Sequence, residues 1–206
     1  MRFSGLISCL FFLLSSCAFK PIQGFKAEEE KTDPIPQVFN MNLGDKVLFK
    51  SGLDFKDQHF SGLLLVKKME DSNFRAVFTT EMGLKMFDLE MSTSANTWHH
   101  CFDQLNRPMV LETIESDLGL LFNASNNQEA IWLRKGDEHC AQQIFSKGRA
   151  FWFLRKENNQ VSNLYWLEGR NKLKTQMKFE GNEETTDVYI HHPKSGLDLH
   201  LRKLEN

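Results

Sequence analysis

From about residue 45 onward, apolar and polar positions alternate with a period of two. Val47 and Phe49, then Leu53 and Phe55, are set among polar residues, while Phe74, Ala76 and Phe78 alternate with Arg75, Val77 and Thr79. Near the end of the chain Leu197, Leu199 and Leu201 alternate with Asp198, His200 and Arg202. Successive side chains of a strand point to opposite faces, so this alternation predicts strands with one face buried. Further strands are predicted over 84–91, 97–102, 129–134, 140–146, 150–156, 161–168, 172–180 and 185–192. Many are set apart by turn formers such as Asp71-Ser72-Asn73, Asn158-Asn159 and Gly181-Asn182. The stretch Gly62-Leu63-Leu64-Leu65-Val66 is apolar at every position, which predicts a strand that is central or covered on both faces. The pattern amounts to roughly ten or eleven short strands.

One segment has a different period. Val110, Ile114, Asp117, Leu118 and Leu121 recur at helical spacing, with Leu111 and Phe122 beside them, Pro108 near the first turn and Asn106 as a candidate N-cap. This predicts a helix over 108–122, with Glu112, Glu115 and Asp117 read as a solvated face. Many antiparallel strands and one good helix predict a mainly β fold: a strongly curved antiparallel sheet whose concave face the helix fills or caps. Closed up-and-down barrels and sandwiches are also compatible with the pattern.

The first part of the chain lacks this patterning. Met1-Arg2 carries a positive charge, 6–14 (LISCLFFLL) is apolar, and Leu14-Ser15-Ser16-Cys17 ends it, the three parts of a secretory signal. The apolar run is far shorter than the roughly 20 residues a spanning helix needs. Leu14-Ser15-Ser16-Cys17 resembles the bacterial lipobox, which implies cleavage after residue 16 and lipidation of Cys17. Two or three acyl chains hold a protein on a membrane stably where one does so only marginally. Ala18-Phe19-Lys20 lacks the acidic second residue associated with inner-membrane retention, so the expected location is the outer membrane, facing the periplasm. Residues 17–44 read as the lipidated N-terminus and a tether, because Lys20-Pro21, Glu28-Glu29-Glu30-Lys31 and Asp33-Pro34-Ile35-Pro36 favour extended chain. Packing of part of 35–43 (IPQVFNMNL) onto the domain is an open alternative, and 45–206 form the β domain.

The stretches FSGLLLVKK at 60–68 and RAVFTTEMGLKMFD at 75–88, in a lipobox chain of this size, resemble a group of small uncharacterised bacterial lipoproteins. Their fold looks similar to that of the lipoprotein-localisation carrier and receptor, LolA and LolB, and IHHPKSGLDLHL at 190–201 is similar to the last hairpin of those half-barrels. The resemblance implies an unclosed barrel with a hydrophobic concavity that accepts acyl chains. Transfer by LolB depends on a protruding loop with an exposed apolar residue; Met82, in Glu81-Met82-Gly83, is the candidate position here.

Composition narrows the partners. In 206 residues, 25 Lys+Arg stand against 27 Asp+Glu, a formal charge of -2, and 41% of residues are hydrophobic. A near-neutral chain with interspersed signs has no polyanion-binding character, so a nucleic-acid partner is not expected. Of the four Cys, Cys9 leaves with the signal and Cys17 is the anchor, so Cys101 and Cys140 remain as either a disulfide or two buried thiols. No Cys-x-x-Cys spacing suggests zinc. The pairs His99-His100 and His191-His192 place neighbours on opposite strand faces and read as surface or strand-end histidines rather than metal ligands. No Gly-x-Ser-x-Gly, His-Glu-x-x-His or phosphate loop occurs, and His100 and Cys101 point apart, so neither a catalytic site nor a cofactor is expected. The 18 Phe and four Trp suit an apolar ligand pocket or an ordinary β core equally well. Phe74, Phe78, Leu84, Met86, Trp152, Leu154 and Trp166 are the candidate lining. Two functions fit: binding of an acyl chain or lipoprotein lipid in the concavity, or a non-catalytic role in envelope assembly through protein contacts.

Overall fold

The computed structural model describes residues 23–27, 38–39, 41–70, 73–92, 95–122, 131–145, 149–155, 161–168, 172–181 and 186–205, with the backbone alone for 141–145 and 149–155. The strands are β1 (Lys26–Ala27), β2 (Lys46–Phe55), β3 (Gln58–Lys68), β4 (Phe74–Thr80), β5 (Lys85–Met91) and β6 (Thr97–Cys101). Helix α1 (Pro108–Phe122) follows. Then come β7 (Ile131–Lys135), β8 (Glu138–Phe145), β9 (Arg149–Arg155), β10 (Val161–Glu168), β11 (Lys172–Gly181), β12 (Thr186–His191) and β13 (Leu197–Lys203). These thirteen strands form one sheet in the order β1-β7-β8-β9-β10-β11-β12-β13-β2-β3-β4-β5-β6. Every neighbouring pair is antiparallel, and β1 and β6 end the order unpaired with each other, so the barrel is not closed. The count exceeds the ten or eleven predicted; the two-residue β1 is too short to alternate and left no pattern to read.

Most connections are hairpins, so one strand sets the register of the next. The long excursion is α1, placed between β6 and β7, the strands near opposite ends of the sheet. Its buried residues Val110, Ile114, Leu118, Leu121 and Phe122 join the inward side chains Phe49, Leu53, Leu64, Val66, Phe74, Phe78, Leu89, Met177 and Leu199 in one core. The helix thus covers part of the concave face, as the amphipathic stripe predicts. Pro108 occupies the first helical position, where its missing N–H leaves no bond unmade. The carbonyl of Arg107 accepts the first helical bond from Leu111 N at 3.0 Å, so the cap position is Arg107 rather than Asn106.

An aromatic cluster closes the C-terminal end of the helix. The Phe122 ring lies 5.2 Å from Phe39, 5.9 Å from Phe49 and 6.3 Å from Phe74. Within the residues read as a tether, Phe39 and Met41 are therefore core, and Phe39 N donates to the Leu121 carbonyl at 3.3 Å. Lys26 and Ala27 pair with Arg134 and Leu133. The opposite face of the sheet carries a smaller cluster, Leu133, Cys140 and Leu167 with Phe25, Tyr165 and Leu173 against it.

The 62–66 stretch departs from expectation. Leu64 and Val66 are buried, but Leu63 and Leu65 are 45% and 37% exposed: β3 lies between β2 and β4, yet the helix covers only its inner face. Cys101 and Cys140 are not joined in a disulfide. Burial pushes Cys140 up to about 12, and burial with the nearby Asp103 charge pushes Cys101 up to about 11, so neither is nucleophilic at neutral pH.

Candidate functional site

Where α1 leaves the inner face of β10 and β11 uncovered, a cleft of ≈ 640 Å³ opens. This falls within the roughly 300–1,000 Å³ typical of small-molecule sites. Its helical wall carries Met109, Thr113 and Ser116, its sheet side Trp166 and Thr175, and its end the turn bearing His192 and Ser195. Charged side chains also line it: Glu112, Glu115, Glu168, Lys174 and Lys194. Glu168 and Lys174 pair at 2.8 Å. Asn96 Nδ2 donates to Glu115 Oε2 at 3.0 Å and Trp98 Nε1 donates to Glu115 Oε1, so Glu115 ties the helix to β6 and the segment before it. Only Glu112 of the three acids expected on a solvated face is exposed.

Asp117 is the clearest reversal. It is 0% exposed, on the buried stripe of α1, and His192 Nε2 meets its Oδ1 at 3.0 Å while His192 Nδ1 meets the Leu197 carbonyl at 2.7 Å. A carbonyl only accepts, so Nδ1 carries a hydrogen and donates it. One further proton lies between Nε2 and Oδ1, on the ring or on the carboxyl. Burial disfavours the Asp117 carboxylate and raises its pKa, against the pull of His192. Burial also pushes His192 down, but the hydrogen bond and charge of Asp117, the Leu197 carbonyl and Asp198 outweigh it, so the ring holds its proton above the usual range. Asp117 Oδ2 has no hydrogen-bond partner among the described residues. The pair pins the middle of α1 to the β12–β13 turn.

With both ring nitrogens engaged, His192 has none left to take a proton from Ser116 or Ser195 across the cleft. His192 therefore holds α1 to the turn rather than serving as a base. Among the described residues no three His, Cys, Asp or Glu side chains converge as a metal site.

The candidate lining residues are dispersed. Trp166 lines the cleft. Phe74, Phe78 and Met86 are packed in the core, at 3%, 1% and 0% exposure, and Phe78 lies against Phe87 at 5.7 Å. Leu84, 49% exposed, follows the β4–β5 turn, and Met82 within that turn is 96% exposed. On β9, Trp152 pairs with Tyr165 and Leu154 with Cys140 in register; their side chains lie outside the described residues, as does Cys17. Met109, Thr113, Ser116, Thr175 and His192 were not foreseen as lining. The available signal was Asp117 itself, a carboxylate at an apolar position of the helical repeat.

A LolA superfamily protein from Nitrosomonas europaea superimposes on this chain with a TM-score of 0.52, covering 84% of this chain and 86% of its own at 11% identity. The fold is LolA-like. A domain described as an outer membrane lipoprotein-sorting protein from Vibrio parahaemolyticus gives a TM-score of 0.42 at 8% identity, covering 78% of this chain and 83% of that one. No protein-family model and no curated protein matches the sequence. In the LolA-like half-barrel of this chain, the part of the concavity left by α1 and the aromatic cluster is the cleft at β10 and β11.

Proposed function

We propose that the protein is an envelope lipoprotein, anchored through Cys17 at the outer membrane and facing the periplasm, that holds an acyl chain in the cleft between α1 and β10–β11. The reading is non-catalytic and needs no cofactor. The observation that carries it is the ≈ 640 Å³ cleft left open beside the helix on the inner face of a LolA-like sheet. Trp166 and Met109 offer the apolar surface there, and the rest of the lining, including Thr113, Ser116, Thr175, Lys174 and Lys194, is polar or charged and would meet the polar end of a ligand. Binding of this kind follows the buried apolar area less the cost of ordering the chain. The ligand is an acyl species, free or carried by a lipoprotein.

Native mass spectrometry with lipid extraction of the purified protein tests the reading. Copurifying acyl species are expected, and Trp166→Ala should lower their occupancy roughly tenfold or more by removing a large apolar contact. Protein that stays empty under conditions retaining lipid in a known carrier would sink it. The second reading, assembly through envelope protein contacts, draws on the packed Phe39, Phe49, Phe74 and Phe122 cluster, which fills the other part of the inner face.

A further inference from the structure

The outer face of β2, β3 and β4 carries a surface that the cleft does not explain. Leu48 pairs with Leu65 and Leu65 with Val77, while Leu204 N donates to the Leu48 carbonyl at 2.8 Å. Leu204, Leu48, Leu65 and Val77 thus form one apolar row across four adjacent chain segments, about 14 Å long at the usual strand spacing. Leu65 is 37% exposed, and Leu63, in the next row, 45%.

Cations flank the row on both sides. On one side Lys46, Lys67 and Arg75 stand in register, and on the other Arg202 and Lys50 run up to Leu63. Arg75 is held by Asp88 at 2.9 and 3.1 Å, and Arg202 by Asp187 at 3.0 Å. Glu90, beyond Arg75, is taken up by His99 at 3.0 Å, and Glu205 is the acid that follows Leu204. Lys46, Lys50 and Lys67 have no partner among the described residues.

We infer that this outer face docks on a bilayer surface rich in anionic phospholipid. Lysine stems lie along apolar surface while their ammonium groups reach the headgroup phosphates, and a leucine row with lysines on each side matches that layering. Each lysine near such a surface adds attraction that salt screens. A second copy of this chain would set the cationic borders against one another, since a two-fold interface places the same patch on itself. Protein interfaces are depleted in lysine and anchored by aromatic residues and arginine, and this patch has unpaired lysines and aliphatic side chains instead. The inference does not depend on what the cleft holds.

The test uses the purified chain with Cys9→Ala, Cys17→Ala, Cys101→Ala and Cys140→Ala and carrying Leu63→Cys, labelled with a polarity-sensitive fluorophore, so that one thiol takes the label and no lipid anchor holds the protein on a vesicle. With vesicles of equal parts phosphatidylglycerol and phosphatidylcholine, the label at 63 should shift to the blue and be quenched by doxyl-labelled lipid. A label at Ile131→Cys, half-exposed on β7 and far from β3 in the sheet order, should not respond. Phosphatidylcholine alone, or raised salt, should abolish the response. In the triple variant Lys46→Gln, Lys50→Gln, Lys67→Gln the docked-to-free ratio should fall roughly 100-fold, with an unchanged melting midpoint because all three lysines lie on the outer surface. A label at 63 that stays in water on anionic vesicles, one that inserts equally into both vesicle types, or one buried only by an added acidic protein would each overturn the inference.

Discussion

A Cβ at Gly62 would lie 2.0 Å from the Thr79 carbonyl oxygen and 2.7 Å from Thr80 Cα. Both obstacles are backbone of the neighbouring strand β4, so the clash can be relieved only by parting β3 from β4. Gly62→Ala should destabilise by about 2–3 kcal/mol, the cost of overpacking a well-packed site. It should be read as a lower urea midpoint with an unchanged denaturant slope. Gly119 gives the contrast: nothing lies within 4 Å of a Cβ there, in the middle of α1. Gly119→Ala should leave stability unchanged or raise it by up to about 1 kcal/mol through helix propensity. Neither glycine announces its role in the chain, since the tight one sits in an unbroken apolar run and the free one inside a helical repeat.

Helix α1 was legible to its ends because a 3.6-residue apolar stripe and a proline at the first turn are local signals. Its packing was not, because Phe122 meets Phe39, Phe49 and Phe74 from distant parts of the chain. Phe122→Ala should cost about 3–5 kcal/mol in chemical denaturation, the range for emptying a buried aromatic site. Met109→Ala, at a half-exposed position lining the cleft, should stay within about 0.5 kcal/mol in the same assay. The alternation that marks the strands likewise identified the inward residues, yet Phe74, Phe78 and Met86 proved to fill the core rather than the cleft. Inward-facing is a local property; whether an inward side chain meets the helix or open space depends on where α1 lies.

At the scale of the whole molecule, two charge arrangements set opposite edges of the pH range. The His192 ring keeps its proton above the ordinary imidazole value of 6.5, so its contribution is full below that value and is lost as pH rises through the higher folded one. The melting temperature of the protein should therefore fall as pH rises above 6.5, and His192→Gln should flatten that limb. On the acid side, the Arg75 hydrogen bonds, with Lys85 at 3.1 Å, hold Asp88 below its ordinary 3.8. That stability is present above 3.8 and should be lost as pH falls through the lower folded value, a loss that Asp88→Asn removes. By itself the sequence determined the strand faces, the helix and its limits, and the lipobox expectation at Cys17, because periodicity and short motifs act between near neighbours. Only the tertiary structure decided that Asp117 is buried on His192, 75 residues away, and that the outer leucines of β3 stay uncovered. It also decided that the cleft opens at β10 and β11 rather than beneath the phenylalanines. The reason is physical: one helix is narrower than the curved sheet it packs on, and what it covers is set by long-range contact, which no local pattern encodes.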